Sequence, residues 1–317
     1  MTSPAPHDAR PQASVLAVVG VLFAVYVLWG STAPAIKIAV RSLPPWWLAG
    51  IRFGCAGTIM WTWARARGVA LPTAREWGLA AMTGVVLLVV GNGIFSWALQ
   101  YLPSGIGALF FALSPLFMAV FAFAFYRERL SMLAVVGVCL GLAGMAYLYS
   151  PSGAQHLPTL PTVLGVISSI AWALGSVMQR RVRGSDVVQM SAMQMLCASA
   201  VLVVMALVGH EPLVIAAFTP AALGALAYLV VFGSVVGFSA FLWLLNNVPT
   251  TLASTYSYVN PVVSLAIGIG FLHEAFSWRL AVGASVIVVG VAVMMIAPKP
   301  GIAESRRPFE AAAAKSA

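Results

Sequence analysis

The chain reads as a succession of apolar runs, each closed by charge, proline or glycine, at roughly 14–34, 44–63, 77–99, 104–126, 131–149, 160–180, 187–208, 220–245, 250–272 and 278–297. A helix needs about 20 apolar residues to cross a bilayer, and these runs have that length. The links between them, such as Tyr101-Leu102-Pro103 and Asn246-Asn247-Val248-Pro249, are short, so successive helices run antiparallel. The first run continues through Trp29-Gly30-Ser31-Thr32 with no small-residue cleavage pattern, and it reads as a first span rather than a cleavable signal peptide. The pattern predicts an all-α integral membrane fold of ten transmembrane helices.

Composition narrows the function classes. Of 317 residues, 61% are hydrophobic and 8% charged, against about 25% charged in soluble domains, whose surface must be wet. Ten spans take about 200 positions and leave no stretch for a soluble catalytic domain. A net charge of +9 would suggest nucleic acid in a soluble protein. Here the cations cluster between apolar runs and set orientation instead, so nucleic acid is not an expected partner. With both termini in the cytoplasm, only Lys37, Arg41 and Arg279 of the 17 Lys and Arg fall outside, and Arg52 lies within the second run. That bias predicts cytoplasmic termini. Cys55, Cys139 and Cys197 lie inside apolar runs, and the four histidines lie in loops without metal spacing. No nucleophile, phosphate loop or metalloprotease pattern is present, and no cofactor or metal is expected.

A shift of 146 residues brings the halves into register. Phe95 falls on Phe241, Trp97 on Trp243, Leu99 on Leu245, Pro103 on Pro249, Pro115 on Pro261, Phe125 on Phe271 and Glu128 on Glu274. The register continues through Ser131/Ser277, Val136/Val282, Gly137/Gly283, Gly144/Gly290 and Ala146/Ala292. These identities are roughly threefold more than chance for this composition, which marks an internal repeat. The division is a tail at 1–13, a five-helix repeat at 14–149, a linker at 150–159, a second repeat at 160–297 and a tail at 298–317. Five is odd, so the second repeat enters the membrane the opposite way round. Inverted repeats let one midplane site open alternately to the two sides.

Candidate site residues are the polar groups that the spans carry. All eight acids lie outside the span interiors, so no buried carboxylate is available as a proton carrier. Glu128 and Glu274 sit at span ends and are read as serving helix termini or anchoring flanking cations. Arg52 lies about 12 Å into the second span at 1.5 Å per residue. It can face a cavity and pair with an anionic substrate group, or hold helix-end carbonyls or snorkel outward. Lys37 reads as structural. In the ninth span Tyr256, Asn260 and Ser264 recur every four residues on one face, and Tyr258 points to the other side. Ser114 is the repeat mate of Asn260, and Pro115 and Pro261 each free a backbone carbonyl. Asn92, between Gly91 and Gly93, can bond a ligand or clamp two helices. Trp29 and Trp172 hold comparable places in the first spans of the two halves and offer an aromatic wall, while Trp97 and Trp243 suit interfacial anchoring. Gln179 and Gln194 are further polar candidates. Gly137, Gly141, Gly144, Gly283 and Gly290 suit tight helix packing or an oligomer contact, which leaves a homo-oligomer possible.

The segments Trp29-Gly30-Ser31-Thr32, Ala35-Ile36-Lys37, Pro44-Pro45 with Arg52-Phe53, Gly91-Asn92-Gly93, Pro103-Ser104-Gly105, Ser169–Ser176 and Tyr256–Pro261 together resemble the EamA-type drug/metabolite transporters. The resemblance covers residues 15–297. It implies two inverted five-helix repeats around a central cavity, in the bacterial inner membrane, with export of metabolites, amino acids or drugs. The expected function is a secondary transporter of a small solute, with the bilayer and that solute as partners. The competing classes are a passive facilitator or channel, and a membrane-embedded enzyme. An enzyme would need a buried acid, histidine or metal cluster.

Overall fold

The computed structural model describes residues 14–127, 131–149, 157–179, 186–247 and 255–296. No strand occurs among the described residues, and the helices fall into α1 (Val15–Gly30 and Thr32–Ala39), α2 (Pro45–Ala66), α3 (Ala74–Gly84, Val85–Gly93 and Ile94–Ala98 end to end), α4 (Ser104–Ala112 and Ser114–Tyr126) and α5 (Met132–Tyr149). They continue as α6 (Thr159–Met178), α7 (Val187–Val208), α8 (Pro220–Tyr228, Leu229–Val236 and Gly237–Asn247), α9 (Tyr256–Leu272) and α10 (Trp278–Ile296). By length and composition α1, α3, α4, α6, α7 and α8 can each cross a membrane, and α5, α9 and α10 contain shorter apolar helices. Helix α2 has the length but carries Arg52 and Arg65.

Helix α1 runs on to Ala39 instead of ending near residue 34, because it breaks at Ser31 and restarts. Pro34 then falls in the first turn of a new segment, where its missing N–H costs no bond. The break has a local cause. Ser31 Oγ donates back to the Val27 carbonyl at 2.7 Å, and Thr32 Oγ1 to the Leu28 carbonyl at 3.0 Å, a pattern that bends helices. The Tyr228 hydroxyl stands 2.6 Å from Ser31 Oγ and ties the bend to α8. In α4 the break at Leu113 precedes Pro115 in the same way. Helices α3 and α8 each contain a π-helical stretch, Val85–Gly93 and Leu229–Val236, a wide turn often found at functional sites.

The principal packing partners are α2 with α7, α4 with α9, α5 with α10, α1 with α8, α3 with α6, α1 with α9, α4 with α6, α3 with α7 and α2 with α8. Exchanging each helix of the first half for its counterpart in the second maps this set onto itself. The glycines of α5 and α10 face each other within the chain. A Cβ at Gly290 would stand 2.7 Å from the Gly141 nitrogen and 2.8 Å from the Gly137 oxygen, so only glycine allows this approach. On the outside lie large apolar side chains, with Phe23, Val204 and Phe271 at 66%, 56% and 80% exposure. Water would not favour such a skin; lipid tails do.

Long-range side chains close helix ends. Lys37 Nζ donates to the carbonyls of Leu99 and Gln100 at 2.7 and 3.1 Å, at the C-terminal end of α3. Glu274 accepts from the Ser104 backbone N–H at 2.8 Å and from the Ser104 hydroxyl at 2.9 Å, capping α4. Its repeat mate Glu128 lies outside the described residues. Glu211 accepts from the Trp46 and Trp47 N–H groups, both at 3.2 Å, at the start of α2. Burial raises the Glu211 carboxyl above its ordinary pKa, and the N–H donors of Trp47 and Trp46 only partly oppose this.

Candidate binding site

Arg52 projects from α2 into the protein and is 5% exposed. Its Nε donates to Ser234 Oγ at 3.0 Å and its Nη1 to Asn92 Oδ1 at 3.4 Å. Both acceptors sit in the π-helical stretches, Ser234 in α8 and Asn92 in α3. The guanidinium thus joins elements from both halves of the chain. It neither holds helix-end carbonyls nor reaches outward. Burying a charge in a membrane helix costs about 2.5–3.5 kcal/mol on insertion scales, so it is met mainly at working sites. Asn92, between two glycines, belongs to this cluster and also accepts at its carbonyl from Ser96 Oγ at 2.9 Å.

Gly91 and Gly237, repeat mates at the 146 shift, each receive a tryptophan from the opposite half. A Cβ at Gly91 would stand 3.3 Å from the Trp172 backbone nitrogen, and one at Gly237 2.5 Å from Trp29 Nε1. Trp29 is packed by Phe238, Phe241 and Tyr256 at centroid distances of 5.7, 5.0 and 4.8 Å. Trp172 meets Phe111 at 5.3 Å. One turn of α1 links these features. Trp29 enters the aromatic group, Gly30 lies under the Asn260 backbone, and Thr32 faces Gly233 beside Arg52. Asn260 Oδ1 is buried with no hydrogen-bond partner. Such an orphan acceptor costs about 1–3 kcal/mol unless something donates to it.

Ser114 Oγ stands 3.3 Å from Ser169 Oγ, three residues before Trp172 on α6. Tyr258 lies on α9, but its side chain is outside the described residues. Ser264 donates to the Ser104 carbonyl at 3.2 Å and serves the contact of α9 with α4. Gln194 Nε2 reaches Gln179 Oε1 at 2.9 Å and Thr83 Oγ1 at 2.8 Å, a clamp joining the end of α6 to α7 and α3. Trp97 rests on Tyr101 at 5.0 Å.

Sequence reasoning missed Ser234, Phe238 and Phe241 as neighbours of Arg52 and Trp29. Ser234 is a single hydroxyl in an apolar run, and only its place after Gly233 marked it. A cleft of about 230 Å³ lies elsewhere, between Phe125 and Tyr126 of α4 and Leu174, Val177 and Met178 of α6. None of the candidate site residues lines it. Among the described residues no group of His, Cys, Asp and Glu could hold a metal.

The arrangement brings together a cation, amides, hydroxyls and an aromatic group where the two halves meet. Residues 16–150 and 160–296 each match the EamA-like transporter family. The inner membrane transporter YedA of Escherichia coli (strain K12) is 38% identical over 298 residues, 91% of this chain and 95% of that protein. The transporter YvbV of Bacillus subtilis (strain 168) is 25% identical over 269 residues, 84% of this chain and 88% of that protein. A crystal structure of 23% sequence identity superposes with a TM-score of 0.65, covers 89% of this chain and 98% of its own, and bears on the fold alone. With both halves matched and a 38% identical relative covered almost end to end, the chain belongs to the EamA-like transporter family and is a multi-pass transporter of the inner membrane.

Proposed function

We propose that the protein is a secondary transporter that carries a small metabolite, amino acid or drug-like solute outward by alternating access. In this reading ten helices cross the membrane, residues 14–149 and 160–297 form two inverted five-helix repeats, and both termini lie in the cytoplasm. The observation that carries it is the buried Arg52–Asn92–Ser234 cluster, shared between halves whose packing is exchanged by the 146-residue shift. A scaffold gains nothing from a charge there, whereas a carrier gains a midplane site that both halves can uncover in turn. Trp29, Trp172, Tyr256, Tyr258, Asn260 and Ser114 supply the wall and the remaining polar points of the site, and the chain acts without a cofactor or covalent chemistry.

The test is uptake by proteoliposomes carrying the purified protein, against radiolabelled amino acids and amphipathic metabolites. Saturable flux above empty vesicles is expected for at least one class. Flux indistinguishable from empty vesicles across the panel would remove the proposal.

A further inference from the structure

Arg52 is a cation without a counter-ion. A guanidinium has five N–H donors and keeps its charge in proteins. Here Nε and Nη1 find partners, and both are neutral oxygens. Nη2 makes no hydrogen bond among the described residues, and no ion pair there involves Arg52. Among the described residues Arg67 pairs with Asp186 at 3.8 Å, and Lys37 and Arg65, which also meet neutral oxygens, are only half-buried, whereas Arg52 is buried. The Phe53 ring, 5.1 Å from the guanidinium carbon, offers a π face but no charge. Beside Nη2 stands Gly233, where a Cβ would lie 3.4 Å from that nitrogen.

A buried charge that no residue of the fold neutralises is matched by something that comes and goes. We propose that Arg52 binds the anionic head of the transported solute, a carboxylate, through Nη2 on the side of Gly233. The solute's apolar body then lies along Trp29, Phe238, Phe241 and Tyr256, which one turn of α1 brings next to the cation. This rests on the transporter reading above and adds the substrate class. An inorganic anion such as chloride has the same charge but no body for the aromatic wall.

The test measures thermal stabilisation of the purified full-length protein by acid–amide pairs: benzoate and benzamide, 3-phenylpropionate and its amide, isovalerate and isovaleramide, with sodium chloride at matched ionic strength. Wild type is expected to be stabilised by an acid and not by its amide. Arg52→Gln should weaken that effect about 10- to 100-fold, the loss of a hydrogen bond to a charged group, and Arg52→Lys should keep part of it. Gly233→Ala leaves the charge in place and crowds the anion's position, so it should also weaken the acids; it reads the proposal even where Arg52→Gln does not fold. Equal effects of acids and amides, an unchanged preference in Arg52→Gln, or a shift reproduced by chloride alone would overturn the proposal. Parallel flux measurements separate the two readings. Saturable flux of the amides, with no dependence on Arg52, keeps transport and removes the anion site. An Arg52-dependent acid shift without any saturable flux keeps the anion site and removes transport.

Discussion

Asn92 and Asn260 occupy unlike surroundings, and the difference makes them separable by mutation. The Asn92 oxygen takes a hydrogen bond from Arg52, while the Asn260 oxygen is buried and unmet. Removing an unmet acceptor relieves the fold of its cost, so Asn260→Ala should lower transport while membrane expression and melting temperature hold or rise. Asn92→Ala should lower transport with normal membrane expression, read by quantitative blotting beside flux. Protein and activity lost together would make either residue a packing group. The sequence exposed Asn260 because its four-residue spacing from Tyr256 and Ser264 repeats on one helix face. It could not separate Asn260 from Ser264, whose hydroxyl is taken up by the Ser104 carbonyl across 160 residues of chain. Arg52 stood out as a charge in an apolar run, but its partner Ser234 lies 182 residues away and follows no local pattern.

Whole helices are held by contacts of the same long range. Glu211 meets the N-terminal donors of α2 from 165 residues away, and Glu274 those of α4 from 170. Helix spans were legible from hydropathy, whereas these caps depend on how the halves fold together. A carboxyl whose pKa is raised in the fold contributes stability below its ordinary value of 4.5 and loses it as pH rises through the folded value. Relative to Glu211→Gln, wild type should therefore lose thermal stability as pH is raised from about 4.5 upward; parallel melting curves for the two would show that the carboxyl is not perturbed. The glycine stripes of α5 and α10, which the sequence left open between packing and an oligomer contact, close on each other inside the chain. Gly290→Ala puts a methyl against backbone that cannot yield, and should cost about 1–3 kcal/mol. The melting temperature in detergent reads this, and an unchanged value would mean that α5 and α10 part easily.

At the scale of the molecule, apolar run lengths, charge bias and the 146-residue shift already outlined an all-helical membrane protein with two related halves. What they could not give was the interruption at Ser31, which comes from hydroxyl back-bonding, the one at Leu113 just ahead of Pro115, and the π-helical turns of α3 and α8. The bend at Ser31–Thr32 and the two π-helical turns lie beside Arg52, a buried guanidinium without a counter-ion among the described residues, and they give the two halves something to share. Single cysteines placed in the links at 101 and 246 should label from opposite sides of the membrane if the halves are inverted; labelling from one side would refute the inversion. The most direct test of the account is counterflow: proteoliposomes are loaded with unlabelled solute, diluted, and followed for entry of the labelled solute. A carrier whose site faces one side at a time predicts a transient overshoot above equilibrium that is abolished by Arg52→Gln. Entry that rises linearly with concentration, with no overshoot, would mean an open pore and would contradict the account.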